Sequence, residues 1–217
     1  KTMKINFFGD FVTPPKKNCN KISISEDLKA LMGCADLNVI NYEAPSWKSD
    51  NSLPLPIPKS GPSLCQDAQM SRWLKDNGFA LASLANNHIF DYGEDGYNST
   101  IASLGDIHTF GAGDWAEAYK PYVTEVESEK VAFVSLTHCE FGTLTDKWDK
   151  RFTKGTAWIN HPDVDRIISE TLEQVDRLFV FAHAGVELIE QPLPEWRDRY
   201  RAFIDLGCDA VIASHPH

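Results

Sequence analysis

The residues best suited to chemistry fall at the ends of apolar runs. "INFFGD" closes on Asp10, "NVINYE" on Asn41 and Glu43, and "ALASLANNH" on Asn86, Asn87 and His88. Further along, "LFVFAHAGVE" carries His183 with Glu187 four residues on, and "DAVIASHPH" ends in His215 and His217. Any one of these ends reads as an ordinary polar turn, because asparagine and aspartate are common in loops. Together they supply Asp, Glu, Asn and three His. Carboxylate and imidazole donors suit Mn, Fe or Zn rather than an all-oxygen calcium cage or a thiolate site. Six ligands exceed what one zinc takes, but divide naturally between two ions. Ions about 3.5–4 Å apart activate water and neutralise charge on a phosphoryl group. A histidine beside such a pair protonates the leaving oxygen.

These residues need a scaffold that brings strand ends together. Short apolar strands are expected at Lys4–Phe8, Leu37–Ile40, Phe79–Leu84, Tyr122–Val126, Val131–Leu136, Arg177–Ala182 and Asp209–Ala213. Between them lie amphipathic helices. Asp163–Asp176 keeps the i, i+3, i+4, i+7 spacing behind Pro162. A second helix spans Ser63–Asp76, opened by a capping box of Ser63 and Gln66. A third spans Pro194–Leu206 and buries Trp196, Tyr200, Phe203 and Ile204. "PYVTEV" and "KVAFVSL" form a hairpin around Glu127–Glu129. Alternating elements plus a hairpin predict an α/β fold with a mixed sheet, whose ligands bind at the carboxyl ends of the strands. The proline-rich stretch Ala44–Pro62 reads as a long loop, because the alternation continues on both sides; one domain over 1–217 is the simplest organisation.

Composition narrows the function classes. The chain has 217 residues, 42% hydrophobic and 24% charged, with a formal net charge of −10. That acidity, with no basic cluster, argues against nucleic acid as a partner. It suits a collector of divalent cations. The cysteines Cys19, Cys34, Cys65, Cys139 and Cys208 are odd in number and dispersed, a pattern of reduced thiols. No apolar run is long enough for a membrane span. If Met3 is the native start the chain is expected in the cytoplasm; a chain with its leader removed would be extracytoplasmic.

The pieces "FFGD", "VINYEAP", "LANNHIFDYGEDG", "GAGDWAEAYKP", "HAGVE" and "LGCDAVIASHPH" resemble the CapA-like (poly-γ-glutamate capsule-synthesis, PGA_cap) family, a branch of the calcineurin-like metallophosphoesterases. They occur in family order from Ile5 to His217. The resemblance implies a metallophosphoesterase-like sandwich of two mixed sheets flanked by helices, with a dinuclear site at the sheet edges. Asp10 and His217 would bind the first metal, and Glu43 would bridge. Asn87, His183 and His215 would bind the second. His88 would be the general acid. Asp91 reads either as the group that orients His88 or as a cap for the helix after Tyr92. Asn41, Asn86, Glu187 and His138 are candidates for touching substrate, with a surface turn as the other reading of His138 and an exposed position as that of Glu187.

Departures from the wider superfamily are specific. The opening "DxH" is absent, since Phe11 and Val12 follow Asp10; "NYE" replaces "GDxxD"; Asn86 stands where a glycine precedes "NH". The set is one histidine short at the first metal, so the second is expected to hold its ion more firmly. The family pattern continues past "HPH", and further strands are expected beyond His217. Arg197, Arg199 and Arg201 read as a solvated helix face or an anion clamp, and Trp47, Trp115, Trp148 and Trp158 as pocket walls. Two functions fit: a metal-dependent hydrolase of phosphoester or related bonds, on a small-molecule or polymeric anionic substrate, or a non-hydrolytic component of poly-γ-glutamate synthesis or export.

Overall fold

A computed structural model describes residues 2–14, 22–48, 52–146 and 152–216. His217, Trp148 and Cys19 therefore lie outside the described residues. Contacts divide the chain into two compact units, Lys1–Ala82 with His88–Thr109, and Ser83–Asn87 with Phe110–His217.

The first unit runs β1 (Ile5–Phe11), α1 (Glu26–Gly33), β2 (Leu37–Tyr42), β3 (Ser46–Trp47), β4 (Gln66–Asp67), α2 (Gln69–Asp76), β5 (Leu81–Ser83), α3 (Gly93–Leu104) and β6 (His108–Phe110). Its main sheet has the order β1-β2-β5-β6, with β1 and β2 parallel. Val39, Ile40, Met70, Leu74 and Leu81 fill its interior, and Phe8 packs edge-on against Phe79. The expected helix from Ser63 is shorter than its sequence suggested. Gln66 does not close a capping box: its side chain donates to the Ala44 carbonyl and meets Thr13, while its backbone belongs to β4, parallel to β3. The helix starts only at Gln69, without a side-chain cap. The described residues of the proline-rich stretch form a loop apart from β3.

The second unit holds β7 (Ala112–Gly113), α4 (Trp115–Ala118), β8 (Tyr122–Val126), β9 (Glu129–Thr137), β10 (Thr143–Leu144), β11 (Gly155–Ala157), α5 (Val164–Leu172), β12 (Arg177–His183), α6 (Pro194–Leu206) and β13 (Ala210–Ser214). Its main sheet, β13-β12-β9-β8, is mixed: β8 is antiparallel to β9, and β9, β12 and β13 are parallel. Glu127 and Ser128 both take positive φ, 48° and 69°, in the two-residue hairpin turn, as a turn matched to strand twist requires. One face of this sheet is covered by α5 and α6, whose Val164, Ile168 and Phe203 join Val134, Leu178 and Val180 in a buried cluster. Ile204 is 46% exposed and lies outside that cluster, contrary to the helical pattern. The helix after Pro162 stops at Leu172, because Asp176 turns back to pair its backbone and carboxylate with Lys130. Among the described residues the fold is mixed α/β, with two four-stranded sheets, one of three strands and one of two.

Ser135 on β9 anchors the segment that carries Asn87. Its hydroxyl lies 2.7 Å from Ser83 Oγ and accepts the Ala85 N–H at 3.1 Å. Gly111, at φ 92°, leaves room for it: a Cβ there would stand 2.5 Å from Ser135 Oγ. Ser135→Ala strands one buried N–H and weakens one buried hydroxyl, at about 1–3 kcal/mol per unsatisfied group. Urea titration is expected to show a lower midpoint with an unchanged slope.

Candidate metal and acid–base site

Register explains why histidines gather at one end of the second unit. In the parallel trio, His183 pairs with Thr137 on β9 and with Ser214 on β13. The residues that follow, His138 and His215, therefore leave the sheet beside His183. Ring centroids are 4.6 Å apart for His138 and His215, and 4.8 Å for His183 and His215. All three side chains are buried. The backbone helps to aim them: His215 sits at φ 103°, a left-handed conformation rare for a side-chain-bearing residue.

Asn87 reaches the same place. Its Oδ1 lies 3.0 Å from His183 Nε2, which is 3.2 Å from His215 Nδ1. His183 Nδ1 faces the Ser214 hydroxyl at 3.1 Å, a contact that fixes the ring. Donors bound about 2.1 Å from one ion at right angles stand about 3.0 Å apart, so this spacing fits a shared cation. The donor chemistry, two imidazoles and an amide oxygen, fits as well.

Glu140 is the nearby anion that the sequence reading missed. His138 Nε2 lies 3.0 Å from Glu140 Oε1, and these two residues with His215 offer ligand atoms that all lie within 4.8 Å of one another. The His138 imidazole, with smaller help from Asn87 and His215, holds the Glu140 carboxyl down to about 2 against the opposing effect of burial. Glu140 is therefore an anion throughout the neutral range. Cys139 beside it is a poor thiolate, its pKa raised by burial and by the Glu140 charge.

The first unit positions a second group. Asp10 and Asn41 are register partners on β1 and β2, and the Asn41 amide donates to Asp10 Oδ1 at 2.6 Å. Glu43, just beyond β2, is buried, its N–H bound to the Phe11 carbonyl. His88 Nδ1 is 2.7 Å from Asp91 Oδ2 and 3.1 Å from Lys59 Nζ. Asp91 also accepts the Leu64 N–H at 2.7 Å and is ion-paired with Lys59. It makes no cap for α3, whose N-terminal residue Tyr92 has no side-chain cap bond. Lys59 was missed because it lies in the proline-rich loop, where nothing in the sequence sets it apart.

The remaining candidates are placed as follows. Asn86 is fully buried on the segment between Ser83 and Asn87, and Glu187 lies on an exposed turn after β12. Arg199 is structural, with two N–H groups on the Ile159 carbonyl and an ion pair to Asp165 at 2.7 Å. Trp115 lines a groove of about 310 Å³ with Tyr119 and Ile167. Among the described residues, Cys34, Cys65, Cys139 and Cys208 are free thiols, and no helix is long and apolar enough to cross a membrane.

Comparison with known proteins gives this arrangement a family. Residues 4–217 match the family described as bacterial capsule synthesis protein PGA_cap. The chain belongs to that family. The PGA biosynthesis protein CapA of Bacillus subtilis (strain 168) is 29% identical over 153 residues, covering 66% of this chain and 38% of that protein. The capsule biosynthesis protein CapA of Bacillus anthracis is 29% identical over 152 residues, covering 66% of this chain and 36% of that protein. The match thus spans well under half the length of these relatives. The crystal structure of a hypothetical protein from Thermus thermophilus superposes with a TM-score of 0.55 at 18% identity, over 99% of this chain and 68% of the other. That likeness concerns the fold alone. Membership of PGA_cap is consistent with kinship to the calcineurin-like metallophosphoesterases.

Proposed function

We propose that this PGA_cap domain is a metal-dependent hydrolase of phosphoester or related bonds, working within the biosynthesis of an anionic capsule polymer. The observation that carries the reading is the Asn87–His183–His215 donor group, at 3.0 and 3.2 Å. Asn87, His183 and His215 would hold one divalent ion. Asp10, Glu43 and His217, which the family resemblance implies as further ligands, are the candidates for a second ion, with Mn, Fe or Zn as the metals. Bound ions would supply charge neutralisation at the phosphoryl oxygens and a more acidic water.

The chain's own residues do the rest. His183 is fixed by Ser214, so its Nε2 is presented without rotation of the ring. Asn41 holds the Asp10 carboxylate in place. With Nδ1 of His88 facing Asp91, Nε2 is the nitrogen that passes a proton to the leaving oxygen, and Asp91 stabilises the charge on the ring. Asn41, Asn86 and Glu187 are the residues proposed to touch substrate.

A second reading, a non-hydrolytic part in poly-γ-glutamate synthesis or export, draws on the names of the two CapA relatives. The test is phosphoesterase activity of chelator-stripped protein, with and without added Mn²⁺, beside a metal count. Activity is expected only with metal. His183→Ala is expected to lose bound metal and activity together on every ester. A wild-type chain that binds no divalent ion, or is inactive with Mn²⁺, Fe²⁺ and Zn²⁺ alike, would favour the second reading.

A further inference from the structure

Against the wider superfamily's "DxH" the chain is one histidine short, yet the second unit holds two further donors, His138 and Glu140. We propose that His138 and Glu140, with His215, form a divalent-cation site of two imidazoles and one carboxylate within the second unit. Three observations support it.

The first is geometry. A ring nitrogen of His138, a Glu140 carboxylate oxygen and a His215 ring nitrogen all lie within 4.8 Å of one another, and His138 Nε2 is 3.0 Å from Glu140 Oε1. Three donors set that closely converge on a point that a borderline metal can occupy, with positions to spare for water or an anionic oxygen. The second is an unmet polar atom. His138 is 8% exposed, and its Nε2, although 3.0 Å from Glu140, has no properly directed hydrogen-bond partner among the described residues. Buried polar nitrogens rarely go unsatisfied. An ion between nitrogen and carboxylate would satisfy both, without requiring that either group point directly at the other.

The third is preorganisation. The short connection from β9 to β10 is locked by its own hydrogen bonds. Thr143 Oγ1 donates to the His138 carbonyl at 3.3 Å and accepts the Glu140 N–H at 3.2 Å, so His138 and Glu140 are held at either end of one hydroxyl. His138 N–H is bound to the His183 carbonyl at 3.2 Å, which ties the loop to the strand end. The Trp196 ring, its centroid 5.8 Å from that of His138, supplies an apolar wall. A rigid, partly apolar setting strengthens metal–ligand electrostatics.

The inference shares with the proposed function the premise that the chain binds divalent ions, and one residue, His215; His138 and Glu140 are its own. The test is titration of the chelator-stripped full chain with Zn²⁺ and with Co²⁺ alone, read by metal count, affinity and the visible absorption of bound Co²⁺. Glu140→Gln keeps the size of a half-exposed side chain and is expected to fold. It is expected to weaken uptake at least tenfold and to alter the Co²⁺ spectrum. His138→Asn is expected to do the same, with near-ultraviolet circular dichroism as the check on folding. Asp10→Asn is expected to leave the Glu140-dependent Co²⁺ band in place. Wild-type stoichiometry, affinity and spectrum in Glu140→Gln would overturn this site; if His183→Ala then still lost metal, the proposed function would stand without it. A wild-type chain that took up neither ion would overturn both.

Discussion

His88→Ala is expected to lower kcat by about 10²–10⁴-fold on an alkyl phosphoester, the usual worth of a general acid. On a nitrophenyl ester, whose leaving group departs without a proton, the loss is expected to be small. Bound metal should be unchanged, because Asn87 rather than His88 is the proposed ligand and His88 Nδ1 is turned to Asp91. That combination separates proton donation from ligation: a lost ligand lowers activity on both esters and lowers the metal count as well. The measurement is kcat on two phosphoesters of different leaving-group basicity, with metal analysis of the same preparations. Equal losses on the two esters would remove His88 from the role of acid.

The second large effect is expected on stability. The Lys59 and Asp91 side chains are 3% and 0% exposed, so their ion pair is shielded from water. Removing one partner of a buried pair leaves an uncompensated charge and costs about 3–5 kcal/mol. Lys59→Met is therefore expected to unfold at a much lower denaturant concentration than the wild type. Asp91→Asn alone is expected to be harmful too, since Asp91 also accepts the Leu64 N–H and faces His88. The double variant Lys59→Met, Asp91→Asn is expected to recover part of the loss, because no bare charge remains. A single-variant loss below about 1 kcal/mol, the worth of an exposed pair, would show that water reaches these groups in solution.

Much of this fold was legible because its signals are local. The apolar strands and two-residue turn of the β8–β9 hairpin, and the Pro194–Leu206 helix with Gly207 as its left-handed cap, depend on near neighbours. The capping box at Ser63 failed for the opposite reason. Gln66 satisfies Ala44 and Thr13, partners far away in sequence that outcompete a weak local cap. The histidines were legible because each closes an apolar strand. Glu140 and Lys59 were not, since one lies in the irregular connection after β9 and the other sits among prolines. Tertiary packing alone brings Lys59 to Asp91, and strand register brings His215 beside His138 and Glu140. The run "THCE" did hold a clue: a histidine just beyond a strand, with a carboxylate two residues on.

The backbone of His215 has a consequence for anyone who would engineer this domain. A histidine at φ 103° stands where glycine would be at ease, and its carbonyl is followed directly by Pro216, against which a Cβ at Gly185 would stand only 3.2 Å away. Such conformations cost on the order of 1–3 kcal/mol. Selection for heat resistance alone would relax that position first. The variant that best survived heating would then be the one least able to hold an ion, and durability and chemistry pull in opposite directions at this residue.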